Sequence, residues 1–183
     1  MADTKLSALT ELAATPAADD ELYIRDVSEE AINESKRIQY SNLVPGTATK
    51  EFFIPATGGS AVGTVSHYTG YLCNAVDEYA EIDFMVPHDF ASTVEAVIVT
   101  IPQATQAAAN WNTNSVYAAN GESYSTHSAA ATDTYDVTLN QMFDVDISGL
   151  LTSLSAGDYV GINITQKTVD HNVFVMGVRF KYA

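Results

Sequence analysis

The clearest pattern in the chain is an alternation of apolar and polar residues in its last third. One run alternates Val160, Ile162 and Ile164 with small or polar residues. A second run, after the polar stretch 168–172, contains an apolar row at Phe174, Met176, Val178, Phe180 and Tyr182. A period of two is typical of half-buried strands. We therefore expect an antiparallel hairpin of two strands whose apolar rows face a core.

Similar short runs recur from residue 50 onward, with turn residues between them. They cover 51–55, 63–72, 79–86, 93–101, 135–139 and 142–147. The run 93–101 is almost continuously apolar, as in a strand covered on both faces. By contrast, 103–134 is rich in Ala, Asn, Ser and Thr and predicts long surface loops with one strand at 115–118. Eight or so short strands and no long helical pattern predict an all-β, antiparallel jelly-roll sandwich.

The first 45 residues differ from the rest and predict an extended N-terminal arm. Leu6, Leu9 and Leu12 have helical spacing, which indicates a short amphipathic helix. The segments 21–27 and 36–40 are expected to pair as a small β-ribbon, which is marginally stable alone and would become ordered on a partner surface. The alternative is a leader without a role. Because Val44-Pro45-Gly46-Thr47 resembles a joint, we divide the chain into an arm, 1–45, and a jelly-roll domain, 46–183.

The charge of the chain limits its partners. The net charge is −15, and residues 51–183 contain 14 acidic residues but only Lys167, Arg179 and Lys181 as basic ones. Such a surface repels phosphate backbones and anionic lipids, so we expect neither nucleic-acid nor membrane binding. The chain lacks an apolar run of about 20 residues and an apolar signal-peptide core, so we expect a protein made in a cytoplasm without a cleaved export signal.

The sequence contains no recognisable catalytic motif. The histidines His67, His88, His127 and His171 are scattered, and no two have metal-ligand spacing. Cys73 has no basic neighbour in sequence, so we expect a buried thiol that is unreactive. We therefore expect no enzyme activity and no cofactor.

Two acidic groups are candidates for a hard cation. They are Asp77, Glu78, Glu81 and Asp83, and separately Asp144 with Asp146. Neither group has the glycine-centred loop of recognisable calcium sites, so a solvated face is favoured over a metal site. The aromatic residues Trp111, Tyr117 and Tyr124 form either a carbohydrate or receptor platform or a packed core or interface, and packing is favoured.

Two parts of the chain resemble known families. The pattern Leu154-x-x-Gly157-Asp158-Tyr159-Val160, together with 173–182, resembles the last two strands of C1q/TNF-like jelly rolls, which are compact trimers. Residues 6–27 and 35–43 resemble leaders of tailed-phage virion structural proteins, in which such leaders precede head-decoration, head-fibre and tail-fibre domains. The resemblance implies a virion attachment arm that carries a displayed jelly roll.

Three functions are compatible with these features. The first is a trimeric capsid decoration or cement protein on the outer surface of a virion, which binds the major capsid protein or another virion protein. Its docking residues would be Leu6, Leu9, Leu12, Tyr23, Ile24, Ile38 and Leu43. The second is a short-fibre or tail module that recognises host surface glycan through Trp111 and the loops of 103–134. The third, a glycan hydrolase, requires paired carboxylates in one cleft, and nothing marks Asp83 and Asp144 as converging.

Overall fold

The computed structural model describes residues 21–25, 35–39, 49–168 and 172–183. Within these ranges the chain forms β-strands and one short 3₁₀ turn, Ser148–Leu150. The described residues include no helix of sufficient length and apolarity to cross a membrane. The chain divides between Ala48 and Thr49 into two units, which are described separately.

The first unit contains the predicted ribbon. Strands β1 (Glu21–Arg25) and β2 (Ser35–Gln39) pair antiparallel, with Leu22 opposite Ile38. The ribbon is therefore confirmed, while the short helix predicted from Leu6, Leu9 and Leu12 lies outside the described residues. Of the proposed docking residues, Tyr23 and Ile24 lie on β1 and Ile38 lies on β2; the others, Leu6, Leu9, Leu12 and Leu43, lie outside the described residues.

The second unit is a sandwich of two antiparallel sheets. In chain order its strands are β3 (Lys50–Pro55), β4 (Gly58–Gly59), β5 (Val62–Val65), β6 (Tyr68–Cys73), β7 (Tyr79–Met85), β8 (Thr93–Pro102), β9 (Gln106–Ala118), β10 (His127–Val137), β11 (Phe143–Asp146), β12 (Tyr159–Gln166) and β13 (Val173–Tyr182). One sheet has the order β10-β9-β12-β7-β4. The other has the order β11-β8-β13-β6-β5, with β3 also paired to β13. The predicted all-β jelly-roll sandwich is thus confirmed.

The core lies between the two sheets and follows from the period-two pattern. On β12, Val160, Ile162 and Ile164 are buried, while the residues between them lie on the outer face. Between the sheets lies an aromatic cluster centred on Phe180 of β13, whose ring centroid is 5.6 Å from that of Phe52 and 5.4 Å from that of Phe84. Because these rings are contributed by β3, β7 and β13, they join the two sheets.

The predicted terminal hairpin is wrong. β12 pairs with β7 and β9 in the five-stranded sheet, whereas β13 pairs with β8, β6 and β3 in the other sheet. Each strand has one apolar face, as the pattern indicated. Two strands that face each other across a core have the same pattern as two strands that pair, so the alternation does not reveal the partner.

The predicted inward row of β13 is also partly wrong, because a β-bulge interrupts the alternation. Val175 pairs with Thr100 but Gly177 pairs with Val99, so Met176 is the extra residue. Val173 and Val175 therefore share the core face with Val178, Phe180 and Tyr182. The ring of Phe174 lies on the opposite face against Gly63 and Gly70.

The prediction of long loops at 103–134 is wrong as well. Most of this region forms β9 and β10, a long hairpin whose turn region spans 119–126. The inward row of β9 is Trp111, Thr113, Ser115 and Tyr117, and all four are buried. Two of the four are polar, which hid the alternation; the hydroxyl of Ser115 donates a hydrogen bond of 2.8 Å to the Leu150 carbonyl oxygen.

Candidate ligand-binding groove

The outer face of the five-stranded sheet carries a groove that follows β7, β12 and β9. Its floor is built from cross-strand neighbours: Gly161 lies between Asp83 and Val116. One step along the same strands, Asn163 lies between Glu81 and Asn114. The two steps belong to adjoining cavities of about 640 and 250 Å³ that share the row at Gly161.

Gly161 provides the open space in the floor. A Cβ atom at this position would lie 3.4 Å from Val116 Cγ2 and 3.5 Å from Asp83 Oδ1. The missing side chain therefore leaves a gap that a carboxylate borders on one side and an apolar side chain on the other. A flat group of a ligand can approach the backbone here.

Two exposed tyrosines stand at the end of the groove nearest the 119–126 turn. Tyr159 on β12 is 61% exposed and Tyr124 in the turn is 81% exposed. The turn is held by Glu122, whose side chain accepts a hydrogen bond of 2.9 Å from the Ala119 N–H and whose own N–H donates to the Ala119 carbonyl oxygen. Each tyrosine offers an apolar ring face with a polar hydroxyl at its tip.

The polar side chains of the groove are oriented by neighbours. Asp83 Oδ2 accepts a hydrogen bond of 3.0 Å from the Thr57 hydroxyl, and its Oδ1 is the oxygen nearest the space above Gly161. Asn163 Oδ1 accepts a hydrogen bond of 2.7 Å from the Thr165 hydroxyl, which leaves the Asn163 amide NH₂ to donate elsewhere. The groove thus presents an oriented acceptor and an oriented donor close to its open floor.

The aromatic residues singled out from the sequence separate in the structure. Trp111 is 1% exposed and packs in the core, with its ring 5.3 Å from that of Tyr135. Tyr117 is also buried and stacks on His127 at 5.0 Å. The packing prediction is confirmed for both, and the alternative role of Trp111 in touching glycan is wrong. Of these three aromatic residues, Tyr124 alone lines the groove.

The predicted acidic groups do not converge. Asp77 forms an ion pair with Lys167 at 2.6 Å, and Asp144 forms one with Arg179 at 2.8 Å. Asp144 is on β11 of the six-stranded sheet, so it lies on the other side of the sandwich from Asp83. The described residues contain no group of three or more His, Cys, Asp or Glu side chains arranged to hold a metal ion.

Sequence reasoning missed most of the groove. The sequence marks Glu81 only as a candidate cation ligand and Asp83 as a candidate cation ligand or hydrolase carboxylate, and it assigns no binding role to Asn114, Tyr159 or Asn163. The available signal was the polar row that alternates with the buried row of β12. The sequence does not reveal that this row lies beside β7 and β9.

Comparisons with known proteins provide a likeness of fold only. Protein-family models give no match, and curated proteins give none. Among solved structures, the chain is similar to the CBM36-1 domain of a multidomain xylanase from the hindgut metagenome of Trinervitermes trinervoides (10% identity, TM-score 0.42, 72% of this chain and 96% of that one). It is also similar to a family 11 carbohydrate-binding module from Clostridium thermocellum (10% identity, TM-score 0.39, 90% and 96%). A third is dimeric latent PorU from Porphyromonas gingivalis (13% identity, TM-score 0.43, 73% and 12%). At these scores the likeness decides nothing about the ligand.

Proposed function

We propose that the β-sandwich is a carbohydrate-binding module that receives a glycan chain in the groove of its five-stranded sheet. The observation that carries this proposal is the open floor at Gly161, bordered by the oriented Asp83 carboxylate and followed along β12 by exposed Tyr159. A sugar ring has apolar C–H faces and a rim of hydroxyl groups. The C–H face stacks on tyrosine, while the hydroxyls bind carboxylate and amide groups.

The length of the groove suits several linked sugars. Tyr159 and Asn163 are the outermost β12 residues that line it from the outer face, and the four strand steps between them span about 13 Å. Gly161 lies between them, so a chain that lies along the strand meets a ring, an open floor and an amide in succession. The succession favours an extended polymer over a single compact ligand.

The arrangement of carboxylates supports binding without hydrolysis. Glycosidases place two carboxyl groups on either side of the bond that is cleaved. Glu81 and Asp83 both belong to β7, and the positions across the groove on β9 are occupied by Asn114 and Val116. Along these strands, therefore, the acids lie on the β7 wall only; the third acid of the groove, Glu122 in the turn, already accepts a hydrogen bond from the Ala119 N–H.

The test is a binding screen combined with a substitution that fills the floor. Calorimetric titration with a panel of soluble polysaccharides identifies those that bind. Gly161→Val should abolish that binding, because the new side chain occupies the space between Asp83 and Val116, while valine is well suited to a strand. The matched control is Thr64→Val, an exposed position on β5 of the other sheet, which should bind as the parent does. Binding that survives Gly161→Val would contradict the proposal.

We further propose that the arm, 1–45, attaches this module to a phage particle, as a trimeric capsid decoration or a short appendage. The leader resemblance supports the arm. The trimer is supported by apolar side chains on the outside of the six-stranded sheet, where Tyr68 (45% exposed) and Met142 (51% exposed) line a cavity of about 400 Å³ with Val65 and Ile101. Exposed apolar patches are a common feature of protein–protein contacts, which include the contacts between identical subunits.

Light scattering and particle binding test this second proposal. Both the full chain and residues 46–183 should have the mass of a trimer, because the proposed subunit contact lies in the sandwich. Only the full chain should bind phage particles. A monomer in both cases, or particle binding by the shortened chain, would overturn it.

A further inference from the structure

The groove carries acidic groups without basic ones. Its lining includes Glu81, Asp83 and Glu122, and the described lining residues contain no Lys, Arg or His. All three acids have exposed side chains, so each acts on whatever enters the groove. A ligand bound here meets negative charge along the β7 wall and again at the turn.

The basic side chains of the described sandwich lie elsewhere and face acids. Lys167 pairs with Asp77 at 2.6 Å, beyond the end of β12. Arg179 belongs to the other sheet and contacts Asp144 at 2.8 Å and Glu95 at 3.4 Å. The remaining two, Lys50 and Lys181, also belong to the other sheet; Lys50 pairs with Asp89, and Lys181 lies opposite Glu51 and Glu95. Within the described sandwich, therefore, no basic side chain lines the groove to neutralise an anionic ligand.

The hydrogen-bonding capacity of Asp83 points in the same direction. An ionised carboxylate only accepts hydrogen bonds, and Oδ2 already accepts one from Thr57. Oδ1 is therefore available to accept a hydrogen bond from a ligand hydroxyl above Gly161. A ligand carboxylate or sulfate would bring another acceptor and a like charge to the same oxygen.

We infer that the groove binds neutral glycans and rejects glycans that carry carboxylate, sulfate or phosphate groups. This inference rests on the proposed carbohydrate-binding function and names its ligand class. Asp83 accepts from a sugar hydroxyl, and Glu81 and Glu122 extend the exclusion of anions along the groove. Each like-charge pair at contact distance weakens binding about five-fold in water.

The experiment compares neutral and acidic polysaccharides under one set of conditions. The neutral probes are xylan, mixed-linkage β-glucan, galactan and dextran, and the acidic ones are polygalacturonate, polysialic acid and heparin. EDTA is present so that no divalent cation bridges two anions. The neutral polymer that binds most tightly is also tested after oxidation of its primary hydroxyls to carboxylates, or, for a polymer without them, after partial sulfation. This gives an anionic ligand on the same backbone.

We expect at least one neutral polymer to bind and its anionic derivative to bind at least about five-fold more weakly at low salt. Added sodium chloride should narrow the difference, because salt screens exposed charges. Glu81→Gln should also narrow it, whereas the matched Glu51→Gln on β3 of the other sheet should not.

The outcomes separate the inference from the function on which it rests. Equal or tighter binding of the anionic derivative that is lost in Gly161→Val would overturn the inference and leave the carbohydrate-binding function in place. If no polymer binds, or if binding is insensitive to Gly161→Val, the carbohydrate-binding groove itself is wrong and the inference fails with it.

Discussion

Replacing Phe180 by alanine should lower the free energy of unfolding of the sandwich more than any substitution in the groove does. Phe180 is 0% exposed, and its ring centroid lies 5.4–6.1 Å from four other aromatic rings, those of Phe52, Phe84, Phe90 and Tyr182. A buried Phe→Ala change costs about 3–5 kcal/mol of unfolding free energy. A typical domain has about 5–15 kcal/mol in total, so much of the stability should be lost.

Urea unfolding measures this loss directly. Trp111 is the one tryptophan of the chain and is buried, so its fluorescence reports the opening of the core. The matched control is Phe53→Ala: Phe53 is the next residue after Phe52 on β3 but is 47% exposed. We expect this control to cost about 1 kcal/mol or less, since little of its surface is withdrawn from water.

A small difference between the two variants would refute the assignment of faces. If Phe180→Ala costs less than about 1 kcal/mol, the aromatic cluster does not join the sheets as described. If Phe53→Ala costs as much as Phe180→Ala, the inward and outward rows of β3 are exchanged.

Three further predictions concern single side chains. Gly177→Ala should lower the unfolding free energy by about 2 kcal/mol or more, because Gly177 has a φ of +156° and an added Cβ would overlap the Ile54 carbonyl oxygen. The control is Gly149→Ala, which has open space around the new Cβ and should change the unfolding free energy by less than about 0.5 kcal/mol in the same urea titration. Burial raises the pKa of the Cys73 thiol from 9.0 to about 12, so a thiol reagent at pH 8 should label it only as the protein unfolds, and rapid labelling of the folded protein would contradict the burial. The free energy of unfolding should fall as the pH rises from about 9 toward 12, because the unfolded chain loses this proton first. The Cys73→Ala variant should lack that contribution to the pH dependence. Tyr159→Ala should weaken glycan binding about ten-fold in calorimetry through the loss of a stacking face, with unchanged circular dichroism. Its control is Phe53→Ala, an exposed aromatic residue on the other sheet, and equal effects of the two substitutions would argue against the groove.

The faces of strands could be predicted from the sequence where the inward residues are aliphatic or aromatic. Val160, Ile162 and Ile164 on β12 are the clear case. On β9 the inward row includes Thr113 and Ser115, which are buried and polar, so the alternation of hydropathy disappears although the alternation of faces continues. Hydropathy therefore located β12 and missed most of β9 and β10.

Strand partners and bulges could not be predicted, because both depend on contacts between distant residues. The bulge at Met176 shifts the inward row of β13 by one residue, and it lies next to Gly177, whose backbone closely approaches β3. The groove has the same origin: Asp83, Val116 and Gly161 are separated by 33 or more positions in sequence and meet only because β12 pairs with β7 and β9. The sequence shows each polar row but does not show that the rows are adjacent in the sheet.

The two faces of β12 have different roles, one in the core and one in the groove, which explains why binding and stability should be separable in this fold. The inward residues withdraw apolar surface from water, which is the main stabilising contribution to the core. The outward residues Asn163 and Gly161 contribute little apolar burial, and Asn163 is oriented by a bond within the same strand, to Thr165. Substitutions of outward side chains on β7, β9 and β12 should therefore change which ligand binds and how tightly, without unfolding the sandwich. Asp83 is the informative case, because Thr57→Val would leave its charge in place and remove the hydroxyl that orients it, whose other acceptor is the Glu81 carbonyl oxygen at 3.3 Å. A loss of affinity in that variant, with unchanged unfolding free energy, would separate orientation of the carboxylate from its mere presence.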